Sequence, residues 1–209
     1  MLRFAIMEGL DFSGRALDDA DLTGCIMVDC KFDGARLERA CLFGADLQRS
    51  SFVRASLERA DLRGARLKGA NLSHANLTEA DLRAGRIAIS DEDTKFAVLR
   101  HKVSAGQLDG ANISGAVLDQ SRLDDVSAAA ADFSECSMRG TKLAGANLKN
   151  ANLRGAVIDN VDVRGANFES VNLSDAVFIR VDLTQTRMKD AVMEGCLCDP
   201  SAETTQQAA

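Results

Sequence analysis

Tryptophan and tyrosine are absent from this 209-residue chain, proline occurs once (Pro200), histidine twice, and aromatic residues make up only 4%. A conventional enzyme core rarely lacks both large amphipathic aromatics, whereas a narrow interior tiled by Leu and Ala needs neither. No apolar run is long enough to cross a bilayer, and no basic-then-apolar leader opens the sequence, so the reading is a soluble cytoplasmic protein with no membrane role. The two histidines, His74 and His101, share no metal-ligand spacing and read as solvent-facing side chains.

Against these absences stands a period of five. From Ala45 to Asp81, Leu47, Phe52, Leu57, Leu62, Leu67, Leu72 and Leu77 recur at every fifth residue. Two positions before each stands Ala or Ser: Ala45, Ser50, Ala55, Ala60, Ala65, Ala70 and Ala75. An α-helix turns about 100° per residue, so a five-residue step scatters such leucines around its axis. A flat strand alternates its faces, so an odd period sends successive leucines to opposite sides. A chain that bends by a constant angle at each repeat lets every large residue (position i) and every small one (i−2) point inward. Positions i−1, i+1 and i+2 then face water.

The repeats ADLQR, ASLER, ADLRG, ARLKG, ANLSH and ANLTE resemble the A(D/N)LXX consensus of the pentapeptide-repeat proteins. That resemblance implies an all-β solenoid: a right-handed quadrilateral β-helix with four pentapeptides per coil, roughly nine coils here and one interruption. It also brings a functional expectation. Members of that family protect type II DNA topoisomerases from quinolones and toxins, as acidic rods that compete for the enzyme's basic DNA-binding surface.

The register divides the chain into a first run over 1–87, an insert over 88–107, a second run over 108–199 and a polar tail over 200–209. The second run, from Leu108, is displaced by one residue, which a regular coil cannot absorb without turning side chains inside out. The insert must therefore leave the helical path and return. Ser90 and Asp93 read as a capping box ahead of a short helix or loop, with Phe96, Leu99 and Arg100 as candidate contact residues. Leu10 and Arg15 stand where small residues belong, as suits a terminal, capping repeat.

Chemistry is hard to find. Cys25, Cys30, Cys136 and Cys196 occupy i−2 and Cys198 occupies i, so packing accounts for five of the six cysteines and only Cys41 is expected at the surface. Neither zinc nor a disulfide framework fits this spacing. Carboxylates fall at i−1 as repeat residues, and no nucleophile elbow or phosphate-binding loop is present. The expectation is a non-enzymatic protein with no metal and no cofactor.

Surface patterning is more informative. Residues 1–87 carry 13 acids and 13 bases and the insert three of each, while 108–209 carry 15 acids and nine bases, so the net charge of −6 resides in the second half. Asp119, Asp124, Asp125, Asp159, Asp162 and Asp182 form the candidate acidic surface. Such a chain will not bind nucleic acid directly by the usual electrostatic route, but it suits a basic protein groove. With four repeats per coil, Val117, Ser137, Val157, Val177 and Leu197 fall in one column at i−1, with Ile179 beside it. Val117, Val157, Val177, Ile179 and Leu197 are the candidate interface, since contiguous apolar surface marks contact sites. The leading expectation is a rigid scaffold that binds an unidentified protein. DNA gyrase is the alternative partner, and solenoid ends with unpaired backbone leave room for a homodimer.

Overall fold

The computed structural model describes residues 2–85 and 106–198, which form a β-helix of nearly square cross-section. The insert expected as a short helix or loop, with Phe96, Leu99 and Arg100, and the tail 200–209 lie outside the described residues.

Each pentapeptide forms one side of the square. Its i−1 residue bridges in parallel to the residue one coil away, almost always 20 positions on: Ala16 to Arg36, Arg36 to Ser56, Ser56 to Asn76. Four bridges join residues 41 apart, namely Arg66–Gln107, Asn71–Asn112, Asn76–Val117 and Asp81–Arg122. The second run therefore stacks directly on the first, face upon face. Along one face the column reads Ala16, Arg36, Ser56, Asn76, Val117, Ser137, Val157, Val177 and Leu197, nine levels in all. At ~4.8 Å between neighbouring strands, the rod is about 40 Å long. The coils wind right-handed, as parallel crossover connections do.

The corners have a common chemistry. At most of them, the N–H of the next small residue donates to the carbonyl of the large one, as Ala35 N to Phe32 O at 3.0 Å. This closure holds the i+2 residue in the left-handed region. Gly140 takes it at φ 66°, but Arg39 and Glu79 adopt it as well, at 56° and 58°. The Asp or Asn at i−1 supports the turn: Asp61 accepts from the N–H of Arg63 at 3.1 Å, and Asn71 from that of Ser73. This explains the D/N preference, because a short side-chain oxygen caps an otherwise idle backbone donor.

The axis is filled by stacked large residues. Phe12, Phe32 and Phe52 form a column of parallel rings at 5.0 and 4.7 Å, continued above by Leu72, Ile113 and Phe133. Each buried Leu contributes on the order of 1.5–3 kcal/mol, offset by chain ordering. Polar residues at i−2 are satisfied inside: Ser50 Oγ donates to Met27 O and accepts from Cys30 N, and Thr141 Oγ1 donates to Leu118 O. Cys30, Cys136 and Cys196 make the same kind of contact, each Sγ donating to a carbonyl of the coil below.

At the ends the inward positions are uncovered. Cys198, expected inside, is exposed, and Cys196 is only half-buried, because no described coil lies above them. Cys41, expected at the surface, is half-buried, with its Sγ 3.2 Å from Thr23 Oγ1.

Candidate functional site

Among the described residues, regular strands form on one face only. Here β1 (Ser137–Arg139), β2 (Val157–Asp159), β3 (Val177–Ile179) and β4 (Leu197–Cys198) make a parallel four-stranded sheet in the order β1-β2-β3-β4. Elsewhere the faces are joined by single bridges. The β-branched residues Val157, Ile158, Val177 and Ile179 on this face favour extended backbone.

The sheet places the five candidate interface residues together. Val157 pairs with Val177, Val177 with Leu197, and Asp159 with Ile179, while Val117 joins the column through Ser137. Val117 is 37% exposed and Leu197 65%, whereas Val157, Val177 and Ile179 are half-buried by their neighbours up and down the column. The strip is flanked by two charged pairs. Arg180 Nη2 donates to Asp159 Oδ1 at 2.5 Å, and Arg139 stands 3.5 Å from Asp119, whose Oδ1 also accepts from the N–H of Arg139. An apolar strip edged by internally neutralised charges can be dehydrated without stranding an unpaired ion.

The six acids of the candidate acidic surface separate onto two faces. Asp119 and Asp159 lie beside the apolar strip, and Asp124, Asp125, Asp162 and Asp182 belong to the next face in chain order. Four of the six carry an arginine: Asp119–Arg139, Asp124–Arg122, Asp159–Arg180 and Asp162–Arg164. The hydrogen bond from Arg164 holds the Asp162 carboxyl below the usual carboxylate range, and that from Thr184 does the same for Asp182. Asp125 and Asp182 have no ion-pair partner among the described residues. Asp124 and Asp162 pair within their own level, whereas Asp119 and Asp159 pair with arginines that reach across levels, as Arg180 does to a residue 21 positions earlier, which sequence reasoning missed.

The first run is more thoroughly paired. Arg39–Asp19, Arg49–Asp29, Arg66–Asp46 and Arg59–Glu79 each span one coil, and Arg63 lies over the Phe43 ring at 5.2 Å. Among the described residues no group of three or more His, Cys, Asp or Glu is placed to hold a metal ion. None of them forms a helix long and apolar enough to cross a membrane. Chemically, the described surface offers contact area and fixed charge.

Comparison with known proteins agrees with this geometry. The family model for pentapeptide repeats matches in 8 copies, over residues 11–49, 50–84, 107–145, 131–169 and 158–195. Among curated proteins nothing matched. Of solved structures, a trypsin-treated variant of QnrB1, described as a plasmid-mediated fluoroquinolone resistance protein, is 19% identical with a TM-score of 0.51. That alignment covers 95% of this chain and 91% of the QnrB1 chain. HetL, involved in heterocyst differentiation regulation in the cyanobacterium Nostoc sp. strain PCC 7120, is 23% identical over 94% of this chain and 86% of its own, with a TM-score of 0.44. At 19% identity the QnrB1 structure speaks for the fold alone. Repeat consensus, coil geometry and the family match over most of the chain agree: the chain belongs to the pentapeptide-repeat proteins.

Proposed function

We propose that this protein is a non-catalytic scaffold that binds another protein through the apolar strip of the four-stranded sheet. The observation that carries the reading is the replacement of the usual Asn or Asp by Val117, Val157, Val177 and Leu197 at stacked i−1 positions of one face. Those residues give up the side-chain cap that supports the turn elsewhere, as Asp61 supports Arg63. A rigid, flat, apolar strip bordered by neutralised charge suits a partner of matching flatness. The test is affinity capture with wild type and a Val157→Asp/Val177→Asp variant, followed by purification of whatever is retained and direct measurement of its binding. A purified partner that binds both forms equally would refute the reading.

A second reading is favoured by the acid excess of the second half and by the description of QnrB1 as a fluoroquinolone resistance protein. In it the rod occupies the DNA-binding groove of gyrase, with Asp125 and Asp182 as unneutralised charges. The arginines on Asp119, Asp124, Asp159 and Asp162 weigh against it, since paired carboxylates attract a basic groove less strongly. A gyrase supercoiling assay with a quinolone decides: protection that vanishes in an Asp125→Asn/Asp182→Asn variant supports it, and no protection at large molar excess refutes it.

A further inference from the structure

We infer that the partner of the apolar strip is a second copy of this chain, laid alongside as an antiparallel rod about a two-fold axis midway between the levels of Ser137 and Val157. This rests on the strip being a contact surface and adds which surface meets it.

The columns of the face dictate the antiparallel arrangement. Val117, Ser137, Val157 and Val177 occupy successive levels at i−1, and Asp119, Arg139, Asp159 and Ile179 occupy the same levels at i+1. A two-fold axis parallel to the rods sets one column against the other, so that Val157 faces Asp159. An axis perpendicular to the rods, lying in the interface, sets i−1 on i−1 and i+1 on i+1 with the levels reversed. Only the second keeps apolar surface on apolar surface.

Shape and charge then select the level. About an axis midway between Ser137 and Val157, Val117 meets Val177, and each Val157 meets Ser137, the one small residue of the four. In the i+1 column Arg139 meets Asp159, twice over. Moving the axis onto the level of Arg139 sets Arg139 against itself and Asp119 against Asp159. Moving it onto the level of Val157 sets Asp159 against itself. Like charges face to face disfavour both alternatives.

The facing groups have hydrogen-bonding capacity to spare. Arg139 Nη1 donates to Ser137 Oγ at 2.9 Å and stands 3.5 Å from Asp119, while its Nη2 has no carboxylate partner among the described residues. Asp159 takes both bonds from Arg180 on Oδ1, which leaves Oδ2 open to Arg139 of the other copy. Asp119, Arg139, Asp159 and Arg180 bring two charges of each sign, so the contact is neutral in a chain of net charge −6. Four levels, three outward columns wide, form a patch of about 20 Å by 10 Å. That is smaller than a standard interface, so the dimer is weak and reversible.

Sedimentation velocity of the full chain from about 5 to 500 µM tests this, with circular dichroism checking each fold. Wild type is expected to dimerise reversibly at twice the chain mass, and Val157→Asp to weaken the dimer at least tenfold. Arg139→Asp and Asp159→Arg should each be monomeric alone, because each sets like charges face to face. An equimolar mixture of those two variants should recover the dimer. Growth beyond a dimer, a dimer indifferent to Val157→Asp, or a mixture that stays monomeric would each overturn the inference. A wild-type monomer throughout would overturn it too. In that case a captured protein lost in Val157→Asp/Val177→Asp still upholds the strip as a contact surface.

Discussion

The rings of Phe32 and Phe52, twenty residues apart in sequence, lie 4.7 Å apart and within 5° of parallel. Both are completely buried, and Phe12 extends the column below at 5.0 Å. Phe32 is thus held on both sides. Phe32→Ala should cost about 3–5 kcal/mol, as for large-to-small core changes, and Phe32→Leu below about 1.5 kcal/mol. Urea unfolding measures both; equal losses would mean that the side-chain volume Leu retains contributes nothing at this level.

Gly106 admits no side chain. A Cβ there would sit 2.1 Å from Leu82 O and 3.4 Å from Val126 Cγ2. The position is i−2, where Ala is otherwise the preferred residue, yet Gly106→Ala should destabilise by about 1–3 kcal/mol because backbone must move. Gly34→Ala makes the contrast: nothing lies within 4 Å of its Cβ, and only the left-handed φ of 63° opposes it. About 1 kcal/mol is expected there. Melting temperatures of the two variants give the order.

The thiols should separate by position. Burial pushes the Cys136 thiol up to about 12, and burial also raises Cys25 and Cys30. Cys198 is exposed. Brief alkylation of the native protein at pH 8, read by peptide mass, should label Cys198 quickly and Cys136 only after unfolding. Labelling of Cys136 at the rate of Cys198 would contradict a filled axis.

Acid should loosen the rod. Hydrogen bonds from Arg39, Arg49 and Arg164 hold Asp19, Asp29 and Asp162 below their ordinary 3.8, and Arg59 holds Glu79 below 4.5. A carboxyl with a depressed native pKa stabilises fully above its unfolded value and loses that contribution as pH falls through the native one. The melting temperature should therefore be level above about pH 5 and fall progressively from about pH 4 downward. These groups lie near the surface, so added salt should shrink the effect. A profile that stays level to pH 2 would show the ion pairs to be idle.

What the sequence made legible was the register. A strict period of five, with Leu or Phe at i and a small residue at i−2, admits one geometry, and it assigned Leu47 and Ala45 to the interior where both lie fully buried. The column of Val117, Val157, Val177 and Leu197 followed from counting twenty residues. Two things escaped counting. Cys198 has an inward register but no described coil above it, so its exposure depends on where stacking stops rather than on its own repeat. The pairing of Asp159 with Arg180 depends on a long side chain crossing levels, which composition by position does not encode. Solvent exposure and charge neutralisation belong to neighbours in the third dimension, whereas inward and outward belong to the repeat itself.

The twenty-residue spacing between rungs also makes chain length a rotational coordinate. Removing twenty residues would delete one storey and leave every column aligned, so that the valine strip would merely be shorter. Removing five would turn everything above by a quarter, setting Val157 and Val177 above a neighbouring wall of Asn and Asp. The stretch between residues 85 and 106 escapes this rule, because Arg66 and Gln107 meet at adjacent storeys despite their 41-residue separation. Lineages of such chains can therefore grow or shrink freely at that doorway, but elsewhere only by whole storeys if their facades are to be preserved.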